Sequence, residues 1–77
     1  MNKIMFFAHL REAVGEESIS IDVAGRSVAE LKELLANQYQ LNQLDTVMTA
    51  INEEFATNEE IIQQGDIIAF IPPVSGG

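Results

Sequence analysis

The sequence predicts an α+β fold in which a mixed β-sheet packs against one main helix. Short apolar or alternating segments toward both ends of the chain have the pattern of β-strands. One segment between them has the spacing of a long amphipathic helix. The 77 residues suffice for a single domain, 1–77, which buries only about 60% of the surface of its unfolded chain.

The N-terminal part predicts two strands around a short helix. Residues 3–8 form a near-continuous apolar run, which indicates the first strand. Residues 10–14 have helical spacing, and Gly15 stands where a C-terminal cap is expected. Residues 18–23 alternate between polar and apolar side chains, as in a half-buried strand. Because the connection is short, we expect the two strands to pair antiparallel.

The main helix begins at a capping box. Ser27 can accept a hydrogen bond from the backbone of Glu30, whose side chain can reach back to the backbone of Ser27. We expect this helix to run to about Gln38. Its apolar face contains Val28, Leu31, Leu34 and Leu35. The residues off that face are Glu30, Lys32 and Glu33.

A hairpin is predicted after the main helix. Residues 47–51 have the pattern of a strand, residues 52–54 supply a turn, and residues 55–56 can pair back briefly. Residues 57–60 match a second capping box, but Gly65 leaves this helix room for little more than one turn.

The last strand is predicted at residues 66–71. Pro72 and Pro73 end it, because proline has no N–H to donate to a ladder, and the uncharged tail 74–77 follows. The order of these elements matches a β-grasp, the ubiquitin-like architecture. In that architecture the first and last strands lie parallel at the centre of the sheet.

Both central strands are apolar on both of their faces, although the sequence contains a single long helix to cover them. Two outcomes follow. Either the short helical segments and loops cover the second face, or an apolar patch stays exposed there as a protein interface. Such a patch would contain Phe7 or Phe6, together with Phe70 or Ile71, and the C-terminal tail would leave directly from it.

The charge and composition exclude several classes of function. Four basic residues against twelve acidic ones give a formal net charge of −8, which disfavours binding to nucleic acid. The acidic surface either suits a basic protein partner or serves only solubility. No apolar run approaches the roughly 20 residues of a membrane helix. With no signal-peptide pattern and no cysteine, we expect no membrane association and a cytoplasmic location.

Gly76 and Gly77 end the sequence in a segment without side chains, suited to a narrow binding site. Its reactive group is the α-carboxylate of Gly77, which must be activated before it can react. The usual route is an acyl-adenylate made from ATP by another protein, since this chain has no phosphate-binding P-loop. Sulfide carried on a cysteine would then give a thiocarboxylate, and an amine would give an amide. The alternative is an inert terminus.

Other candidate groups point to no catalytic site. His9 is the single histidine, and with no cysteine in the chain we expect neither a metal site nor a disulfide. It is expected to begin the short helix. Ser75 could act as a nucleophile only with a base beside it, and the sequence shows neither a second histidine nor a serine–lysine dyad for this role. The pairs Glu53-Glu54 and Glu59-Glu60 are expected to be solvated.

Two segments carry a resemblance to a known family. The motif Phe-Phe-Ala-His-Leu-Arg-Glu at residues 6–12, followed by Gly15, resembles the opening of the small subunit of molybdopterin synthase. The motif Gly-Asp-Ile-Ile-Ala-Phe-Ile-Pro-Pro-Val-Ser-Gly-Gly at residues 65–77 resembles its closing segment. The resemblance spans the whole chain in length and element order, while residues 38–46 carry no matching motif.

The resemblance implies that a ubiquitin-activating-like adenylyltransferase uses ATP to adenylate Gly77, which becomes a thiocarboxylate. No cofactor is then bound permanently to this chain. The tail would enter the large subunit, which carries the catalytic groups, and donate sulfur to cyclic pyranopterin monophosphate. The family complex has two small and two large subunits. The residues expected to contact the large subunit are Gly76, Ser75, Val74, Pro73, Pro72, Phe70 and Phe7.

Three other functions remain open at this point. A sulfur carrier for thiamin or another pathway would have the same fold and the same Gly-Gly terminus. A protein modifier would be joined through that terminus to lysines. A β-grasp binding module would have an inert tail.

Overall fold

The structure, a computed structural model, describes residues 1–41 and 44–72, with the backbone alone at residue 45. Its five strands are β1 (Asn2–Phe6), β2 (Ser18–Ile21), β3 (Met48–Ile51), β4 (Glu54–Ala56) and β5 (Ile67–Ile71). The helices are α1 (His9–Val14) and α2 (Val28–Tyr39), and a single 3₁₀ turn spans Leu44–Thr46. None of the described helices has the length and apolar character needed to span a membrane.

The strands form one mixed sheet in the order β2-β1-β5-β3-β4. At its centre β1 and β5 run parallel, with Ile4 opposite Ile68 and Phe6 opposite Phe70. The pairs β1–β2, β3–β5 and β3–β4 are antiparallel. This topology, with α2 packed on one face, confirms the predicted β-grasp.

Helix α2 begins at the predicted capping box. The Ser27 hydroxyl accepts from the Glu30 N–H at 3.2 Å, and the Glu30 carboxylate accepts from the Ser27 N–H at 2.9 Å. The helix ends one residue beyond the expected position, and Gln40 follows with a φ of 56° in the left-handed region. Both ends are therefore determined locally, as capping rules describe.

One face of the sheet, hereafter the closed face, packs against α2 and forms the hydrophobic core. The rings of Phe6 and Phe70 stack there with their centroids 6.4 Å apart. The core consists of Ile4, Phe6, Leu10, Val23, Val28, Leu31, Leu35, Leu41, Leu44, Val47, Ile62, Ile68 and Phe70. These residues come from both helices, the two central strands, the 3₁₀ turn and the loops, so the closed face supplies most of the apolar burial that stabilises the fold.

The side chain of Lys32, which the sequence places off the apolar face of α2, is buried and only 8% exposed. Its Nζ donates to the Asn58 side-chain oxygen at 2.9 Å. The loop after β4 brings Asn58 to the helix, so a charged residue beside the apolar face becomes covered. A buried amine without such a partner would cost several kcal/mol, of the order of the penalty for an uncompensated charge.

The second capping-box match does not form a helix. Residues 57–60 make a turn, closed by the Glu60 N–H donating to the Thr57 carbonyl at 3.2 Å. The carbonyls of Asn58 and Glu60 accept from the Ala29 and Val28 N–H groups, each at 3.0 Å. These N–H groups belong to the first turn of α2 and have no partner inside the helix. The segment therefore caps α2 from outside instead of forming a helix of its own.

The predictions for the shorter elements agree with the structure to within two residues. Strand β1 ends at Phe6, because Ala8 adopts a φ of 55° that is incompatible with a strand. Gly15 caps α1 as expected, with a φ of 89° and its N–H donating to the Arg11 carbonyl at 2.8 Å. Asn52 and Glu53 both have positive φ and form a two-residue hairpin turn between β3 and β4.

Candidate functional site

The second face of the sheet, hereafter the open face, is an apolar surface without a covering helix. Residues that pair directly across strands share a face, so the register places Met5 beside Ala69 and Ala50 beside both Ala69 and Phe55. The open face encloses a groove of about 540 Å³. The groove is lined by Met5, Phe7, Ala50, Asn52, Glu53, Phe55, Ile67, Ala69 and Ile71.

The large apolar side chains of the open face are accessible to solvent. Phe7 is 40% exposed, Ile67 44% and Phe55 74%. Neither α1 nor the loops bury them, which confirms that an apolar patch stays exposed on this face, while its role as a protein interface stays a prediction. A contiguous apolar surface of this kind marks an interaction site.

The structure decides which aromatic residues belong to the patch. Phe7 and Ile71 lie at the open face, whereas Phe6 and Phe70 lie on the closed face and are 2% and 0% exposed. The prediction that the Phe70 side chain contacts a partner is therefore corrected. Side chains alternate along a strand, so Phe70 points into the core while its neighbour Ile71 points outward.

The C-terminal end of β5 is the last described part of the chain. Ile71 pairs with Met48 of β3, and Pro72 follows as a buried residue. The expected contact of Pro72 with the large subunit stays a prediction. Pro73, Val74, Ser75, Gly76 and Gly77, all predicted site residues, lie outside the described residues. The chain thus leaves the sheet at the edge of the open face, next to the β1 end that carries Phe7.

A polar cluster fixes the opposite end of β5. The Asn52 side-chain amide donates to the Asp66 carboxylate at 2.9 Å, and its oxygen accepts from the Ile67 N–H at 3.0 Å. The other Asp66 oxygen accepts from the Gln63 N–H at 2.9 Å. These bonds join the β3–β4 turn to the first residue of β5. They hold the register on which the open face depends.

A second polar anchor, Asn2, was not recognised from the sequence. It is 1% exposed, and its amide nitrogen donates to the carbonyls of Gln63 at 2.8 Å and Asp66 at 3.1 Å. Its side-chain oxygen accepts from the Val23 N–H at 3.2 Å. The pattern offered one signal, since Asn2 shares the inward parity of Ile4 and Phe6. Three bonds make this buried amide a bridge between β1 and the loop before β5.

The remaining candidate groups show no catalytic arrangement in the described part of the chain. His9 is exposed and begins α1, as predicted, and the glutamates at 53, 54, 59 and 60 are all exposed. The described residues contain no group of three or more His, Cys, Asp or Glu that could hold a metal ion. The electrostatic effect at Glu30 is structural: the Ser27 backbone N–H holds the pKa of Glu30 below its usual value.

Comparison with known proteins gives consistent matches along the whole chain. The sequence model of the ThiS family matches residues 4–77. The molybdopterin synthase sulfur carrier subunit of Arabidopsis thaliana is 35% identical, over 97% of this chain and 81% of that protein. The subunit of the same name from Escherichia coli K12 is 31% identical, over 100% of both chains.

Solved structures agree with this assignment. SAMP1 from Haloferax volcanii superposes with a TM-score of 0.83 at 26% identity, covering 99% of this chain and 98% of that one. A chain of the complex between subunits 1 and 2 of molybdopterin-converting factor from Helicobacter pylori has a TM-score of 0.70 at 26% identity. It covers 99% of this chain and 97% of its own. With the family match, the full-length relatives and the shared β-grasp, the chain belongs to the ThiS family.

Proposed function

We propose that this chain is the sulfur carrier subunit of molybdopterin synthase, acting in molybdenum cofactor biosynthesis. The observation that carries the proposal is the full-length similarity to relatives of that name, at 35% and 31% identity. The fold supports it, because β5 ends at the margin of an exposed apolar face and leads the chain from there toward Gly77. The family match also extends through Gly77.

The proposed chemistry takes place at the Gly77 carboxylate. An adenylyltransferase joins this carboxylate to the α-phosphorus of ATP, and pyrophosphate leaves. Sulfide carried on a cysteine then attacks the acyl carbon, so that a carbon–sulfur bond forms as the bond to AMP breaks. Because the donor is a cysteine persulfide, this attack gives an acyl disulfide. A second thiol then reduces its S–S bond and forms a disulfide with the donor cysteine, and the chain is released as a thiocarboxylate. ATP is thus a co-substrate of the partner, and this chain binds no cofactor permanently.

In the proposal, the catalytic groups for sulfur donation belong to the large subunit. The thiocarboxylate enters that subunit and transfers sulfur to cyclic pyranopterin monophosphate, so this chain acts as a co-substrate. ATP-dependent loading fits a cytoplasmic location.

We further propose that the open face is the contact surface for the large subunit. Phe7 and Ile71 lie nearest the end from which the tail departs, so docking there places the tail at the partner. Val74, Ser75 and Gly76 then contact the walls of a tunnel in the large subunit, and Pro73 lies at the entrance of this tunnel. Phe70 contributes indirectly by supporting the sheet from the closed face. Aromatic residues at the centre of such patches usually carry most of the binding energy.

The decisive experiment follows the C-terminus by intact-mass spectrometry. The purified chain is incubated with an adenylyltransferase, ATP and a persulfide donor, and the mass should change by the replacement of one oxygen by sulfur. A variant lacking Gly77 should melt at the same temperature and gain no sulfur. A variant extended by one alanine beyond Gly77 is the matched control for chain length. Sulfur loading of the shortened variant would refute the proposal.

A protein modifier is a second candidate, favoured by the superposition on SAMP1. In that case the activated Gly77 forms an amide with a lysine of another protein. Both functions share the adenylate, so the mass assay alone does not separate them. Conversion of cyclic pyranopterin monophosphate to molybdopterin by the loaded chain with a large subunit supports the carrier. Lysine conjugates in the native cell, without that conversion, support the modifier.

A further inference from the structure

Strand β4 forms one edge of the sheet and offers an unoccupied position for another strand. In the described structure it pairs only with β3, through Ile51–Glu54, Ala50–Phe55 and Thr49–Ala56. An edge strand presents N–H and C=O groups on its outer side that can pair with another chain. At three residues, β4 can accept only a short segment.

The two sides of this edge differ in chemistry. Phe55 lies on the open-face side and, at 74% exposed, is the most accessible of the large apolar residues in the described chain. Glu54 and Ala56 point to the other side, where a separate groove of about 370 Å³ lies. That groove also contains Glu60 and Ile61, the latter 48% exposed. An added strand would therefore meet an aromatic ring on one face and carboxylates beside an isoleucine on the other.

Glutamates stand on both sides of β4 along the chain. Glu53 and Glu54 precede Phe55, and Glu59 and Glu60 follow the strand; all four are exposed. Two copies of this edge would bring like charges together, which disfavours pairing between copies. A segment rich in lysine or arginine would instead be attracted. The buried Lys32 borders a further groove that β4 also lines through Phe55 and Ala56, and its amine there donates to the Asn58 side chain.

We propose that the free edge of β4 binds an extended basic segment of a protein partner, which adds to the sheet as a further strand. The alternation of side chains fixes the preferred sequence pattern. Apolar residues of the segment pack on Phe55, and the lysines or arginines between them reach Glu54 and Glu60. Phe55 also lines the groove of the open face, but the proposal holds whether or not the chain carries sulfur.

The test uses the full chain, labelled with ¹⁵N, and a synthetic peptide of alternating lysine and valine with blocked ends. Addition of the peptide should shift the amide resonances of residues 54–56 and 60–61. The affinity for the peptide should fall as the salt concentration is raised. A peptide with an N-methyl group on every residue keeps the charge but has no N–H donor on either edge, so it should not bind. Equal binding by both peptides, or shifts centred on Met5 and Ala69, would overturn strand addition at β4.

A pair of charge-matched variants tests the role of the glutamates. Glu54→Gln/Glu60→Gln should weaken peptide binding about fivefold, given the small contribution of each exposed ion pair. Glu12→Gln/Glu16→Gln removes the same charge at exposed positions elsewhere and should change the affinity less than about twofold. Equal weakening in both variants would mean attraction to net charge alone and would refute a site at this edge. Absence of any peptide binding at low salt would refute it as well.

Discussion

The two faces of the sheet are built from the same strands and are similarly apolar, yet one face is buried and the other stays exposed. On the closed face Phe6 and Phe70 stack under α2 and are almost fully buried. On the open face Phe7 and Ile67 remain 40% and 44% exposed. The chain has one long helix, and it covers one face. The number of covering elements, and not the hydrophobicity of a strand, decides which apolar residues become core.

This difference separates folding from recognition within single strands. Residues of the closed face gain their burial energy when the chain folds. Residues of the open face such as Phe7 and Ile67 keep the exposed part of their apolar surface available for a partner. Substitutions on the closed face should thus act on stability, and those on the open face on binding.

The largest expected effect is that of Phe70→Ala. The ring is fully buried, so its removal leaves a cavity in the thin core and should lower the free energy of unfolding by about 3–5 kcal/mol. Phe7→Ala removes a ring that is 40% exposed on the open face and should lower the free energy of unfolding by only about 1–2 kcal/mol. Urea denaturation followed by circular dichroism measures both.

The same pair of variants tests the comparison on the binding side. Phe7→Ala should weaken binding to a molybdopterin synthase large subunit about tenfold or more, as loss of an aromatic anchor does. If Phe7→Ala lost as much stability as Phe70→Ala, the open face would be part of the folding core. The division between the faces would then be wrong.

The sequence was sufficient for the parts of the fold that depend on local pattern. Strand and helix periodicity located the five strands and α2, and the apolar character of residues 3–8 and 66–71 placed those strands at the centre. The capping box was read correctly because its partners, Ser27 and Glu30, are three residues apart.

Contacts between residues that are far apart in the sequence could not be predicted from the sequence pattern. Lys32 is buried because Asn58, 26 positions away, folds over it. The partners of Asn2 lie 61 and 64 positions away, so no local window contains them. Which of Phe6 and Phe7 faces the core also depends on where α2 packs. These contacts follow from the order in which the strands pair and from where α2 packs, and the propensities of the single residues do not contain them.

Asn2→Ala should have the second largest effect, at about 2 kcal/mol lost, because it leaves two carbonyls and the Val23 N–H without their partner in a buried site. Lys3→Ala, on the neighbouring exposed residue of the same strand, is the matched control and should change stability by less than about 0.5 kcal/mol. Equal losses in the two variants, measured by thermal unfolding, would show that Asn2 is not a special anchor of the closed face.

Replacement of Thr49 should raise the stability instead of lowering it, because among the described residues Thr49 carries the one buried side-chain polar atom without a hydrogen-bond partner. Its hydroxyl is buried between Phe70 and Ala56 and has no hydrogen-bond partner there. Thr49→Val keeps the shape and removes this group, which should raise stability by about 1 kcal/mol and Tm by about 4–8 °C. Thr57→Val, at an exposed position, is the control. A lower Tm for Thr49→Val would reveal a partner for the hydroxyl.

The smallest expected effect concerns the cap that holds α2 over the closed face. The Ser27 N–H and the start of the helix favour the ionised form of Glu30, so its folded-state pKa lies below the ordinary value of 4.5. Glu30→Gln keeps a hydrogen-bonding side chain at this position but cannot ionise. The stability that ionisation adds is fully present above the unfolded pKa and is lost as the pH falls through the lower folded pKa. The wild type should therefore be slightly more stable than Glu30→Gln at neutral pH, and this difference in stability should vanish on acidification below pH 4.5.

Glu33→Gln, on the same helix, controls for removal of one charge. A difference that persisted unchanged in acid would mean that the carboxylate acts through its shape and not through its charge.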